Sequence, residues 1–166
     1  VIERLKRIQE AVNHLRYNHL TLAKSSTLSI IASGVSYCYV VEALRWLGIE
    51  DATSVLKIGT PYPLPVALIV ELLGVSNTVL IVEELEPIVE MSVKAIAQEH
   101  GFQNKIHGKD LVPLAGELSV DVVTEVVARM ASIDPPSIIS KARLQQKIVL
   151  PLLPERPPTL CAGCPH

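Results

Sequence analysis

Short apolar runs alternate with amphipathic helical segments four times, and this alternation limits the fold more than any other feature of the sequence. The strand-like runs are "TLSII", "TSVLKI", "NTVLIV" and "NKIHG", and each precedes a segment with apolar residues at helical spacing. Three of these helical segments end at a glycine, at positions 48, 74 and 101, which is a common C-terminal signal. This order predicts an α/β fold in which helices cover both faces of a mostly parallel sheet.

The repeating pattern stops near residue 134, which predicts a domain boundary at that point. A helix over 2–16 and a short strand in "HLTLA" precede the first full unit. Seven of the 12 prolines follow residue 134, and proline lacks the N–H donor that helices and sheets need. We therefore expect an α/β domain over 1–134 and a proline-rich arm over 135–166. Because the chain starts with valine and ends abruptly, we expect it to be a piece of a longer protein.

The composition argues against several classes of function. The 15 basic and 17 acidic residues nearly balance, so no basic field is present for nucleic acid and no polybasic patch for a membrane surface. Aromatic residues, which stack on bases, make up only 4% of the chain. No apolar run reaches the roughly 20 residues that a membrane span requires. Three cysteines without an even framework predict a reducing, cytoplasmic compartment.

Functional crevices in parallel sheets lie at the carboxyl ends of the strands, where the strand order reverses. The strand ends predicted here are Ser33-Gly34, Gly59-Thr60 and Glu83-Glu84. Because the carboxyl ends of parallel strands share one edge of the sheet, these three pairs are the first candidates for a site.

The stretch "IVEELEPIVE" follows an apolar strand and carries four carboxylates, on Glu83, Glu84, Glu86 and Glu90. Paired carboxylates perform acid–base chemistry when their surroundings separate their pKa values. Acidic residues also favour the positive end of a helix dipole, and we favour this interpretation for Glu86 and Glu90. Glu83 and Glu84, at the exit of the strand, are better candidates for an ordered contact with a neighbour. We assign no catalytic residue from this pattern.

The stretch "ASGVSYCY" places Ser33, Gly34 and Ser36 between a strand and a helix. Free backbone N–H groups at such a helix start can bind an anion. The pattern falls short of the glycine-rich nucleotide-binding motifs, so a tight strand-to-helix turn is the interpretation that we favour. Cys38 lies inside the following helix, where we expect a small apolar core residue.

The chain ends on "LCAGCPH", a CxxC followed by a histidine. A zinc ribbon would need a second CxxC or two histidines, and an iron–sulfur cluster would need four ligands. A thioredoxin-type motif would follow a strand and start a helix, whereas this motif follows a proline-rich stretch. Taken alone, the motif completes none of these sites, and we expect no metal centre from this chain.

Four segments together resemble the alpha subunit of indolepyruvate:ferredoxin oxidoreductases, a family of 2-oxoacid:ferredoxin oxidoreductases. They are "ASGVSYCYVVEALRWLGI", "LKIGTPYPLP", "VLIVEELEPIVE" and "ERPPTLCAGCPH", in that order. The resemblance covers essentially the whole chain and implies the transketolase C-terminal-like domain of that subunit. The implied fold is a three-layer α/β/α sandwich around a mixed sheet of about five strands, with an antiparallel first strand at one edge. In that layout the strands at 28–33 and 78–83 are neighbours, which predicts a crevice lined by Ser33, Gly34, Ser36, Glu83 and Glu84.

The resemblance also implies an activity and a set of cofactors for the complete enzyme. The activity is oxidative decarboxylation of 2-oxoacids such as indolepyruvate to an acyl-CoA, with ferredoxin as electron acceptor. Thiamine diphosphate, Mg²⁺ and 4Fe-4S clusters would serve the complete enzyme, and none is expected on this chain alone. The segment "LCAGCPH" would start the pyrophosphate-binding thiamine domain, which places Cys161, Gly163, Cys164 and His166 near the cofactor.

The implied partners are the other domains of the same subunit, a smaller beta subunit, ferredoxin and CoA, and a homodimer is compatible with the family. In this interpretation the chain organises the enzyme and is inactive alone. The alternative is a stand-alone small-ligand or regulatory α/β domain that binds an anion at the turn after strand 28–33. A third hypothesis, a metal or redox module built on the CxxC, requires ligands that the chain does not supply.

Overall fold

The predicted strand–helix alternation is present in the computed structural model of the chain, which describes residues 2–136. The five helices are α1 (Ile2–Ala11), α2 (Ser36–Leu47), α3 (Val66–Leu73), α4 (Ile88–Glu99) and α5 (Val120–Ala131). The five strands are β1 (His19–Thr21), β2 (Leu28–Ser33), β3 (Thr53–Ile58), β4 (Thr78–Val82) and β5 (Lys105–His107). Short 3-10 turns occupy Val12–His14 and Glu50–Ala52.

The strands form one mixed, mostly parallel sheet in the order β1-β3-β2-β4-β5. The edge strand β1 pairs antiparallel with β3, and the other three pairings are parallel. The chain runs outward from β2 to β3 and then crosses back to β4, so the strand order reverses between β2 and β4. Ala32 of β2 faces Val82 of β4 in the register, which brings the carboxyl ends of the two strands side by side. The predicted fold class and this predicted neighbour pair are both confirmed.

Helices cover both faces of the sheet and make three layers. Side chains alternate between the faces along each strand, so Ile30 packs toward α2 and α5 whereas the adjacent Ile31 packs toward α3 and α4. Both isoleucines are fully buried. The central strands are therefore apolar on both faces, which is the pattern that distinguishes covered parallel sheets from half-exposed antiparallel ones.

The helix ends follow the sequence signals in most cases. Gly48 ends α2 in the left-handed conformation, with φ of +66°, where a side chain would be strained. The Ser119 hydroxyl accepts a hydrogen bond from the Val122 N–H and caps α5, as the sequence predicts. Gly74 ends α3 in right-handed conformation, so its role there does not depend on the special freedom of glycine.

The first helix departs from the prediction in its length and its packing. The α-helix ends at Ala11, and the remainder of the predicted segment is a 3-10 turn followed by extended chain. Its apolar residues Ile2, Leu5 and Ile8 are exposed, and only Val12 enters the core. The spacing correctly identified an amphipathic helix, but that face does not pack against the domain within residues 2–136.

Asn18 fixes the edge strand β1 to the carboxyl end of β3. Its side-chain amide nitrogen donates to the Val12 carbonyl and to Thr60 Oγ1, both at 2.7 Å. Its Oδ1 accepts from the backbone N–H groups of Gly59 (2.9 Å) and Thr60 (3.1 Å). The predicted strand end Gly59-Thr60 is therefore occupied by structural hydrogen bonds from a buried asparagine, whose polar atoms need such partners.

Residues up to Pro135 form one compact unit. Beyond Pro136, the predicted arm over 135–166 lies outside the described residues, so the predicted boundary at residue 134 stays a prediction.

Gly59 is a position where the fold leaves no room for a side chain. A Cβ built on Gly59 would lie 2.5 Å from the Tyr17 carbonyl oxygen and 2.7 Å from the Tyr17 Cβ. Because this oxygen belongs to the backbone, Gly59→Ala is expected to lower the free energy of unfolding by about 1–3 kcal/mol. Urea denaturation of the 166-residue chain measures the change.

Gly74→Ala is the matched control for that substitution. The nearest atom to its added Cβ is 3.4 Å away, and its φ of −74° suits alanine. We expect this control to be neutral or stabilising, by up to about 1 kcal/mol. Equal losses at the two glycines would contradict the steric argument.

Candidate functional site

The carboxyl ends of β2 and β4 enclose a crevice of about 380 Å³. The five residues predicted to line it, Ser33, Gly34, Ser36, Glu83 and Glu84, all do so. The other lining residues are Val35, Pro61, Leu85, Glu86, Ile88 and Val89. Both α2 and α4 begin at this crevice, so the positive ends of two helix dipoles point toward it. The structure thus brings the predicted residues together, and what they bind stays a prediction.

Glu83 binds the start of α4 with both carboxylate oxygens. Its Oε2 accepts from the Val89 N–H at 2.9 Å and its Oε1 accepts from the Glu90 N–H at 2.8 Å. The side chain is only 5% exposed, so the buried charge is satisfied by two donors and the helix dipole. The expected ordered contact of Glu83 therefore exists, and its partner is the helix of its own chain.

Glu90 lies in the first turn of α4, at the positive end of the helix dipole, as the sequence suggested. Its carboxylate lies inside the protein, where Oε1 contacts Lys94 Nζ at 2.6 Å and Oε2 accepts from the Lys109 N–H at 2.9 Å. A Cβ on Gly108 would collide with this carboxylate, so glycine at 108 makes room for it. The backbone N–H groups of this first turn are capped by Glu83 and not by Glu90.

Lys109 is a structural residue of the site that the sequence analysis missed. Its Nζ donates to the Glu83 carbonyl at 2.5 Å and contacts the Pro113 carbonyl at 3.3 Å. Lys109 follows β5, the parallel neighbour of β4, so it too lies at the carboxyl edge of the sheet. The short strand-like run "NKIHG" immediately before it was the signal that could have identified it.

The start of α2 carries no side-chain cap. Gly34 adopts φ of +57° and Val35 follows in right-handed conformation, which makes the tight turn favoured by the sequence. The Ser36 hydroxyl is buried, with the residue 1% exposed, and it has no hydrogen-bond partner among the described residues. Cys38 was expected in the core, but it is exposed, because it lies on the face of α2 that turns away from the sheet.

The His107 ring and the Asp110 carboxylate are hydrogen-bonded next to the Lys109 contact, with Nδ1 and Oδ2 2.5 Å apart. Burial opposes the charge on Asp110, but the Gly108 N–H and the His107 ring outweigh it and lower the pKa of this carboxyl below its usual value of 3.8. The pair stabilises the turn that carries Lys109 after β5.

The remaining predicted residues, Cys161, Gly163, Cys164 and His166, lie outside the described part of the chain, and their cofactor role stays a prediction. Within residues 2–136, no three His, Cys, Asp or Glu side chains group closely enough to hold a metal ion. No helix in the same range is long and apolar enough to span a membrane.

The paired hydrogen bonds of Glu83 predict a structural role for this carboxylate. Glu83→Ala removes the acceptors of two buried N–H donors, so we expect the free energy of unfolding to fall by about 2–3 kcal/mol. Glu83→Gln turns an amide NH₂ toward one donor and should cost less. Chemical denaturation provides the measurement, with the exposed Glu84→Gln as the matched control. A Glu83→Ala chain as stable as the control would refute this role.

The His107–Asp110 pair predicts a dependence of stability on acid pH. Because the folded pKa of Asp110 lies below the unfolded value near 3.8, its contribution is fully present above that pH and is lost as the pH falls through the folded pKa. Asp110→Asn should therefore make unfolding less sensitive to acidification in this range. Urea unfolding on either side of pH 3.8 tests this, and an unchanged acid dependence would contradict it.

The chain is similar over its whole length to curated proteins named indolepyruvate oxidoreductase subunit IorA. It is 40% identical to those of Thermococcus kodakarensis and Pyrococcus abyssi over 166 residues, and 36% identical to that of Methanothermobacter marburgensis over 169. Each alignment takes in 100% of this chain and 26% of the relative. The chain thus spans about a quarter of the length of these relatives.

Two solved structures share the fold. A split-gene transketolase, described as an inactive beta4 tetramer, matches with a TM-score of 0.54 at 20% identity, over 69% of this chain and 42% of its own. A 2-oxoglutarate:ferredoxin oxidoreductase from Magnetococcus marinus, solved with 2-oxoglutarate, coenzyme A and succinyl-CoA bound, matches with a TM-score of 0.56 at 13% identity, over 77% and 22%. At these identities the likeness extends to the fold alone.

No protein-family model matches the chain. The relatives nevertheless confirm the family resemblance of the four segments, since they align with every residue of the chain. The chain therefore belongs to the indolepyruvate oxidoreductase alpha subunits, the IorA family, as a homologue of a segment that makes up about a quarter of the subunit.

Proposed function

We propose that this chain acts as the transketolase C-terminal-like domain of an indolepyruvate:ferredoxin oxidoreductase and organises the catalytic domains around it. The observation that carries the proposal is the 40% identity to IorA subunits across all 166 residues. The complete enzyme would decarboxylate aryl pyruvates, transfer the acyl group to CoA and pass the released electrons to ferredoxin. Its partners would be the other domains of the subunit and a smaller beta subunit, with homodimerisation and a cytoplasmic location.

An organising role accords with how the charged side chains of the crevice are used. Glu83 holds the start of α4, and Lys109 holds the Glu83 carbonyl. A general acid or base must be free to contact the substrate, whereas both carboxylate oxygens of Glu83 accept backbone hydrogen bonds from α4. These contacts support a scaffold and leave the chemistry to other domains.

The cofactors belong to the proposal for the complete enzyme. Thiamine diphosphate would supply the electron sink for decarboxylation, Mg²⁺ would hold its diphosphate, and 4Fe-4S clusters would carry the electrons. We place none of these steps on residues 2–136. Cys161, Gly163, Cys164 and His166 would approach the cofactor only together with a pyrophosphate-binding domain.

A stand-alone anion-binding domain is the second candidate. The uncapped start of α2 and the unpartnered Ser36 hydroxyl favour it. The lining of the crevice opposes this candidate, because Glu83, Glu84 and Glu86 face the same space and no Lys, Arg or His among residues 2–136 lines it. Repulsion from these carboxylates would weaken the binding of a small anion, so we rank this function second.

Cofactor binding separates the two candidates. If the chain is an organising domain, isothermal titration with thiamine diphosphate and Mg²⁺ should give no saturable heat on the 166-residue chain, while the complete subunit binds both. A chain that binds the cofactor alone would refute the organising role. Titration with inorganic phosphate, alongside the variant Ser36→Ala, tests the second candidate on the same sample.

A further inference from the structure

Three apolar side chains at the mouth of the crevice are largely exposed to solvent. Val35, Leu85 and Ile88 line the crevice and are 46%, 64% and 62% exposed. These three side chains belong to separate elements that converge at the reversal of strand order, so they form one surface. Apolar surface that is gathered at one place and rimmed by charges marks an interaction site more often than scattered exposed leucines do.

Leu85 is held in an unfavourable conformation at this surface. Its φ is +55°, in the left-handed region that only glycine and a few polar residues adopt readily. A glycine would fit the same turn with less strain, so the leucine costs stability without gaining burial. Strain of this kind persists where a side chain serves a purpose other than folding.

The charged side chains that line the crevice are acidic, whereas Lys109 binds the Glu83 carbonyl and does not line it. Glu84 and Glu86 flank Leu85 and are exposed, and the described residues that line the crevice include no Lys, Arg or His. The Glu83 carboxylate lies below them, with its hydrogen-bonding capacity taken up by α4. The rim therefore favours a cationic group and disfavours a free phosphate or carboxylate.

We propose that the crevice is the docking site of a protein segment that inserts an aliphatic side chain and places a lysine or arginine beside it. The aliphatic side chain would cover Val35, Leu85 and Ile88, and its cation would meet Glu84 and Glu86. This inference rests on the proposed function, since it locates the segment in the three quarters of the same subunit that the present chain does not span.

Site-specific photo-crosslinking in the assembled enzyme tests the proposal. A benzoylphenylalanine at Ile88 should crosslink to one peptide outside residues 1–166, with a lysine or arginine within a few residues of an aliphatic one. The same probe at Leu114, which is 52% exposed and does not line the crevice, is the matched control. Crosslinks only within this chain, to a second copy of it, or to an acidic segment would overturn the proposal.

Two further variants, combined with the Ile88 probe, separate docking from folding. Glu84→Lys with Glu86→Lys should reduce the crosslink at least about tenfold, because facing like charges are strongly unfavourable. Leu85→Gly should also reduce the crosslink, yet it should raise the midpoint of thermal unfolding by relieving the left-handed leucine. A Leu85→Gly enzyme that keeps its full crosslink yield would contradict the role of this side chain.

The crosslink yield and the turnover of 2-oxoacids are measured separately, so failure of the docking site can be distinguished from failure of the proposed function. An enzyme that oxidises 2-oxoacids but gives no crosslink above the Leu114 control would refute the docking site alone. An assembly that crosslinks as expected but turns over no 2-oxoacid would refute the proposed function instead. Binding of inorganic phosphate that is lost in Ser36→Ala would identify a small-anion site, and it too would overturn the docking proposal.

Discussion

The two hydrogen bonds from the start of α4 to the Glu83 carboxylate determine the geometry of the functional edge of this fold. They join Glu83, the residue that directly follows β4, to the first turn of the next helix, at donor–acceptor distances of 2.8 and 2.9 Å. Lys109, after β5, binds the carbonyl of the same glutamate. Glu90, in the turn that Glu83 caps, in turn accepts from the Lys109 N–H. The end of β4, the first turn of α4 and the turn after β5 are therefore fixed at one point, beside the crevice.

The two helices that begin at the crevice differ in how their first turns are satisfied. The chain supplies α4 with an anion of its own, whereas α2 begins at Val35 and Ser36 without a side-chain acceptor. One positive helix end is thus neutralised internally and the other is left to the solvent or a partner. The carboxylates of Glu84 and Glu86 lower the potential around the second helix end, which shifts its preference from anions toward neutral oxygens.

Much of the fold was predictable because its signals are local and repeated. Apolar strands, helical spacing, Gly48 and Ser119 each indicate one element or boundary, and the alternation then restricts the topology. The partners of individual carboxylates were not predictable in the same way. Glu83 and Glu90 are both glutamates near a helix start. The sequence does not indicate that Glu83 accepts the N–H groups of the helix whereas Glu90 contacts Lys94 and Lys109. The exposure of α1 and of Cys38 has the same origin, because periodicity identifies a face but not what covers it.

The contrast between Leu85 and Gly34 shows how the fold separates stability from interaction at this edge. Both residues follow a central strand and both adopt positive φ, but one position has the residue that suits the conformation and the other does not. At Gly34 the turn needs only backbone freedom, and a Cβ there would meet nothing within 4 Å. At Leu85 the chain accepts strain and exposes an apolar side chain between two carboxylates. Since folding alone would favour glycine at both positions, the leucine is best explained by a contact that forms outside this chain.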